Sequence, residues 1–230
     1  MQQVYWIKSS QTWTCPKAGA WKIVCVGGGA SGGLAFYADV SAFQSAGGTT
    51  SFGSLLSASG GAIETACPTL IKGCGGYGGY DGMNYGGTPM IVQRVNTTDN
   101  TTAHLTPASG NGGVLGTPGL GYGAGGGVGE VYQLGTKTGS ATNNVQVNAV
   151  PGKCGNMAMG IFDLNLNQSI SCTIGTSAKP TINASTLLQQ IKQQNSSFTA
   201  TEITDNTNLK QVINSVTAGT AGVVYIEFLG

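Results

Sequence analysis

The chain has 230 residues, enough for one large domain or two small ones with a buried core. Glycine supplies 39 of them, well over twice the share of about 7% found in ordinary soluble proteins. Asp, Glu, Lys and Arg together reach only 8%, where about 25% is usual. Ten basic and nine acidic residues leave a formal charge of +1, which excludes the many Lys and Arg phosphate contacts of a nucleic-acid binder and a polybasic membrane patch.

The chain opens Met1-Gln2-Gln3-Val4-Tyr5-Trp6-Ile7-Lys8. It has no basic leader, and Val4 to Ile7 is too short for the apolar core of a signal peptide. No apolar run approaches the ~20 residues of a membrane-spanning helix. The expectation is synthesis in the cytosol without secretion. The six cysteines (Cys15, Cys25, Cys67, Cys74, Cys154 and Cys172) are then expected as reduced, mostly buried thiols rather than disulfides. There is no Cys-x-x-Cys pair, and His104 is the only histidine. No metal site and no cofactor are expected.

Residues 1–72 read as an N-terminal β region. A strand around Trp13 should end at Cys15-Pro16, since proline lacks the N–H that a central strand needs. Ala20 to Val26 is apolar on both faces, as in a strand buried within a sandwich, and runs into Gly27-Gly28-Gly29. A further strand is predicted over Thr50 to Ala58, closed by Gly60-Gly61.

Residues 73–150 form a glycine-rich region. Gly73, Gly76, Gly79 and Gly82 recur every three residues, as do Gly110, Gly113, Gly116 and Gly119. That is the period of polyproline II. Such segments have no internal hydrogen bonds, so they are ordered only where nearly every backbone group finds a neighbour. Tyr77, Tyr80, Tyr85, Leu115, Leu120 and Tyr122 are interleaved where a flexible linker would carry serine. An ordered bundle is therefore expected over 73–87 and 110–129, with polar loops or short hairpins at 88–109 and 130–150.

Residues 151–230 return to β pattern and complete the framework. Phe162, Leu164 and Leu166 alternate with polar residues, as do Ile170, Cys172 and Ile174, predicting a hairpin that turns near Asn167-Gln168. Leu187, Leu188 and Ile191 predict a short helix capped by Ser185. Leu209, Val212, Ile213 and Val216 predict a second, ended by Gly219. Val223 to Phe228 is a terminal strand. The fold class is mainly β: a β-sandwich framework with an inserted glycine-rich polyproline II bundle and a short C-terminal helical segment.

Catalytic constellations are missing from this pattern. His104 stands alone in a Thr/Asn-rich loop, there is no Gly-x-Ser-x-Gly, and no nucleophile has a base beside it. Gly121-x-Gly123-x-x-Gly126 matches the dinucleotide fingerprint formally, but no βαβ pattern surrounds it. No catalytic residues are assigned, and the expectation is that the protein is not an enzyme.

Trp13-Thr14-Cys15-Pro16-x-x-Gly19-Ala20-Trp21-Lys22-Ile23-Val24-Cys25-Val26-Gly27-Gly28-Gly29 resembles the opening of glycine-rich domains in phage tail-fibre proteins. The resemblance continues in Gly47 to Gly53, in Leu55 to Gly61, in Ile174-Gly175 and in Gly222 to Ile226. The middle of the chain is similar to the tip adhesins of T-even-like phages. In those adhesins glycine-rich motifs form a layered polyproline II sandwich whose distal loops bind the bacterial receptor. The chain departs from the pattern in its helical 180–218 segment and in lacking a match to the adhesins' fibre-attachment region.

The resemblance implies a receptor-binding protein at a phage tail fibre or tail tip, located in the virion. Its partners would be a bacterial surface receptor (an outer-membrane protein or a glycan) and other fibre or tail proteins. No nucleic-acid partner is implied, and homo-oligomerisation is compatible with it. Tyrosines and polar loop residues suit such binding, because they give rigid contact area and hydrogen bonds at low entropic cost. The receptor-binding candidates are Tyr77, Tyr80, Tyr85, Tyr122, Arg94 and His104. The rival expectation is a purely structural virion or fibre-cap protein. An ice-binding role fits less well, because Thr97, Thr98, Thr101 and Thr102 cluster in a loop rather than forming a regular array.

Overall fold

A computed structural model of the chain describes residues 3–35, 43–63, 121–126, 152–194, 213–214 and 216–230, together with the backbone of 93–95, 102–104, 133–134, 145–146 and 148–150. In chain order the elements are β1 (Val4–Ile7), β2 (Gln11–Thr14), β3 (Gly19–Val26), β4 (Gly33–Ala35), β5 (Thr50–Phe52), β6 (Leu56–Ala58), β7 (Gln93–Val95), β8 (Thr102–His104), β9 (Gln133–Leu134), β10 (Val145–Gln146), β11 (Asn148–Val150), β12 (Met157–Leu164), β13 (Ser169–Thr173), α1 (Ala184–Gln194) and β14 (Val223–Phe228). The protein is mainly β, with two antiparallel four-stranded sheets ordered β1-β14-β3-β12 and β2-β13-β5-β6. Both sheets draw strands from the two ends of the chain.

One apolar core joins the sheets. Trp21, Ile23 and Cys25 alternate along β3 and meet Trp13, Phe52, Ile170 and Cys172 of the other sheet. Trp21 is fully buried, with Trp13 at 5.3 Å and Phe228 at 4.9 Å between ring centroids, both edge-on. Its indole N–H is satisfied by the Lys17 carbonyl at 3.0 Å, which lets so large an amphipathic side chain sit in the core. The opposite face of β3 is also buried, where Val24 and Val26 pack with Val223 and Tyr225. This is the two-sided burial expected of that strand.

β2 ends at Thr14, one residue before Cys15-Pro16. The β12–β13 hairpin turns at Asn167, whose left-handed φ of 62° suits asparagine; Leu166 lies in that turn and is exposed rather than alternating into the core. The single strand expected over Thr50 to Ala58 is instead the hairpin β5–β6. Gly53 takes a left-handed φ of 54° and reverses the chain, so that Phe52 faces Leu56. The cap of α1 is Asn183 rather than Ser185: its Oδ1 accepts from the Ser185 N–H at 2.9 Å and receives the Ser185 hydroxyl at 2.6 Å. Leu187 and Ile191 of α1 are buried, as its apolar spacing requires. Of the second helix only Ile213 and Asn214 are described as helical.

Beyond the sheets the chain forms a glycine layer held by backbone hydrogen bonds. The segment following β3 is its centre. Its consecutive N–H groups donate in strict rotation: Gly27 to Asn156, Gly28 to Gly48, Gly29 to Thr220, Ala30 to Lys153, Ser31 to Ser45 and Gly32 to Thr217, all at 2.8–3.0 Å. Each neighbour is met again after three residues and runs antiparallel to the centre. The Gly28 and Ala30 carbonyls accept from Gly61 and Gly126. The surrounding segments are bonded to one another in a closed ring, through Gly47 to Gly61, Asn156 to Ser59, Gly152 to Gly126, Thr220 to Ala124, Gly222 to Gly175 and Gly48 to Thr176. Side-chain hydroxyls also join this network, Thr50 accepting from Gly175 N–H, Thr220 from Ala124 N–H and Ser31 from Ser45 N–H.

Small residues make this packing sterically open. A Cβ on Gly29 would land on the Ala124 carbonyl, one on Gly155 on the Gly27 carbonyl, and one on Gly222 on the Val26 carbonyl. The expected bundle at 73–87 lies outside the described residues. Within 110–129 only 121–126 is described with side chains, and this stretch is one segment of the layer. The Gly121-x-Gly123-x-x-Gly126 match is thus a packing feature of that segment.

Candidate functional site

The layer has a sheet end and a far end. Gly27, Ser59, Asn156 and Gly222 directly adjoin β3, β6, β12 and β14, and Gly175 lies two residues past the end of β13. At the far end lie Gly32, Ser45, Gly126, Gly152 and Thr217, linked by Ser31 to Ser45, Gly32 to Thr217 and Gly152 to Gly126. The connections 33–44 and 127–151 therefore begin and end at the far end. The 177–216 connection leaves the sheets past Gly175 and returns at Thr217, and its two limbs are tied by a Lys179 Nζ bond to the Asn214 carbonyl at 3.1 Å. The long connection 62–120 leaves the layer past Gly61 and re-enters beside the sheets at Tyr122. β4 and β11 pair at the mouth of the far end, Gly33 opposite Val150. The connections 33–44 and 127–151 thus have both ends at the far end, 177–216 has one end there, and 62–120 finishes beside the sheets.

Among the sequence candidates, Tyr77, Tyr80 and Tyr85 lie outside the described residues. Arg94 and His104 are brought onto one β-ribbon, in neighbouring rungs: Arg94 opposite Ala103 and His104 opposite Gln93. Tyr122 sits elsewhere, at the sheet end. It is half-buried, its ring 5.8 Å from Trp6 and packed with Val24, Val26 and Tyr225, with the Lys8 ammonium 5.8 Å from its centroid. These contacts make it a packing residue that fixes the entry of the 121–126 segment against the first sheet.

Sequence reasoning missed a polar cluster on that same sheet face. Lys22 and Glu227 are register partners on β3 and β14, with Nζ and Oε2 3.7 Å apart and both side chains largely shielded. The Tyr225 hydroxyl donates to the same Oε2 at 3.0 Å. The signal was present: Lys22 and Glu227 are the single charges in two otherwise apolar strands. A shielded pair of this kind contributes little net stability, but removing one partner strands the other charge.

Cys15, Cys25 and Cys172 are buried free thiols, as expected from the sequence, and Cys154 is buried too. Burial, reinforced by the neighbouring Cys172, pushes the Cys25 thiol up to about 12, and burial pushes Cys172 up to about 11. Burial also raises Cys154. None of these three supplies a thiolate nucleophile near neutral pH.

These shifts carry a pH dependence of definite sign. An unfolded thiol ionises near pH 8.5, whereas folded Cys25 and Cys172 keep their protons. Their stabilising contribution is fully present below the unfolded value and is lost as pH rises from about 9 through 11, by about 1.4 kcal/mol per pH unit for each thiol. Urea-unfolding midpoints across that range should fall, and Cys25→Ala should reduce the slope. An equally steep fall in that variant would contradict the assignment.

No group of three or more His, Cys, Asp or Glu side chains able to hold a metal ion occurs among the described residues. No helix among them is long and apolar enough to cross a membrane. No protein-family model, curated protein or solved structure matches the chain.

Proposed function

We propose that the chain is a phage virion receptor-binding protein, a tail-fibre tip adhesin whose loops recognise a bacterial surface receptor. The two sheets are read as a β-sandwich and the glycine layer as a polyproline II bundle, since one hydrogen bond per neighbour every three residues is the repeat of that helix. The observation that carries the proposal is that the connections 33–44 and 127–151 both start and finish at the far end of the layer. A stiff, nearly uncharged pedestal with loops at one end suits recognition without salt-dependent adhesion to unrelated surfaces. Tyr77, Tyr80, Tyr85, Arg94 and His104 all belong to the 62–120 connection, which leaves the layer past Gly61 and re-enters at Tyr122. Tyr122 is withdrawn from contact by its packing on Trp6. The location proposed is the tip of a tail or tail fibre, with fibre proteins as neighbours.

Fluorescently labelled protein added to a panel of intact bacteria tests this. Strain-selective staining is expected, and a Tyr77→Ala/Tyr80→Ala variant should stain at least about tenfold more weakly, the loss of one or two binding anchors. Ser171→Ala, an exposed sheet position, should stain as the parent does. Absence of staining on every strain, including hosts of phages that carry the protein, would contradict the proposal and favour a purely structural virion role.

A further inference from the structure

We infer that two copies of the chain pair through the outer edge of β12, joining their first sheets into one continuous antiparallel sheet. β12 is an edge strand eight residues long, bonded on one side to β3. The phase of that ladder is set by the Gly27 N–H bond to the Asn156 carbonyl. Residues 158, 160 and 162 therefore turn their backbone groups towards β3, and Met157, Met159, Ile161 and Asp163 turn theirs outward. Among the described residues no hydrogen bond reaches those outward groups. Asn156, just before β12, bonds to Ser59, just after β6.

An open edge of this length is normally blunted by a charge, a proline or a bulge. Met157 to Phe162 carries none of these. The outward face bears Met159, 51% exposed, and Ile161, 64% exposed, the two largest apolar exposures but for the turn residue Leu166. What the edge accepts is a strand, because only a strand offers matching N–H and C=O groups at this spacing.

The sequence of β12 favours its own copy. Antiparallel pairing about Gly160 puts Met159 opposite Ile161 of the second copy, and Ile161 opposite its Met159, each pair exchanging both backbone bonds. Four exposed apolar side chains then cover one another on one face. No like charges meet in that register, since Asp163 falls opposite Met157. The pairing is isologous and closes at two copies, so it produces a dimer rather than a fibre.

Sedimentation velocity on the full chain over a concentration series tests the inference. A species of twice 23.2 kDa is expected. Ile161→Lys should weaken its dissociation constant by about a hundredfold, since an ammonium would be buried at the centre of the seam. The fold should survive, because Ile161 is exposed in the single chain; Met159→Lys serves if that variant fails to fold. An equimolar mixture of Met159→Cys and Ile161→Cys chains should cross-link on mild oxidation more than either alone. A monomer at every concentration, or a dimer indifferent to both lysine substitutions, would overturn the inference. Cross-linking no greater in the mixture would overturn the register about Gly160.

Discussion

Replacing Gly29 by alanine is expected to destabilise the protein by about 3 kcal/mol or more, at the upper end of overpacking costs. The added methyl would land on the Ala124 carbonyl and come within 3.0 Å of the Gly123 oxygen. Relief by a shift of the backbone is blocked. Gly28, Gly29 and Ala30 donate to three different segments, to Gly48, Thr220 and Lys153, so movement away from one neighbour breaks a bond to another. A buried N–H left unpaired costs about 1–3 kcal/mol by itself. For a chain of this size the melting temperature should drop by about 6–12 °C, which scanning calorimetry would read. Gly230→Ala is the control, because a methyl there meets nothing within 4 Å. A Gly29→Ala protein that melts with the parent would mean the layer is loosely packed.

Trp21→Ala should cost about 3–5 kcal/mol, as for other large core aromatics. The residue is fully buried, touches Trp13, Tyr5 and Phe228, and ties its indole N–H to Lys17 in the turn between β2 and β3. Its removal leaves a cavity between the two sheets and leaves the Lys17 carbonyl to the weaker Cys15 S–H donor. Trp21→Phe should cost less, since it keeps part of the packing while losing the hydrogen bond. Urea unfolding would show the lower midpoint with an unchanged slope. A loss below about 1 kcal/mol for Trp21→Ala would contradict the assignment of this residue to the centre of the core.

The β framework was legible because its signals are local. Alternation in β12 and β13, proline after Cys15 and the apolar run of β14 each mark an element without knowledge of its partners. The β5–β6 hairpin was misread because Gly53 sits between Phe52 and Ser54 without the Asn-Gly or Asp-Gly pair that announces a two-residue turn. The helix cap was misplaced by two residues because Asn183 and Ser185 are both capping types, and only the geometry shows which oxygen receives the N–H groups.

Glycine packing was sought only between 73 and 150. Gly27 to Gly32 shows the three-residue spacing only once, in Gly29 and Gly32. The centre of the layer is crowded on all sides, so every position there is small: three glycines, Ala30, Ser31 and another glycine. The period appears instead in the surrounding segments, where one face meets the centre: Gly123 and Gly126, Gly152 and Gly155, Gly219 and Gly222. The Thr-Ala-Gly-Thr-Ala-Gly stretch of 217–222 carries it most plainly, yet Gly219 had been read as the end of a helix. The Lys22–Glu227 pair was invisible for a different reason. Its members are 205 positions apart, and their meeting depends on the register of β3 with β14.

Both the pedestal and the presentation of loops from its far end rest on the glycine layer being a rigid, hydrogen-bonded body. Native-state hydrogen exchange at the amides of Gly27 to Gly32 tests that most directly. If the six N–H groups are bonded in rotation, they should exchange within about tenfold of the β3 amides, opening only with the whole fold. Exchange at the rate of a solvated loop would show that the layer is not a body at all, and the proposed presentation of receptor-binding loops would lose its support.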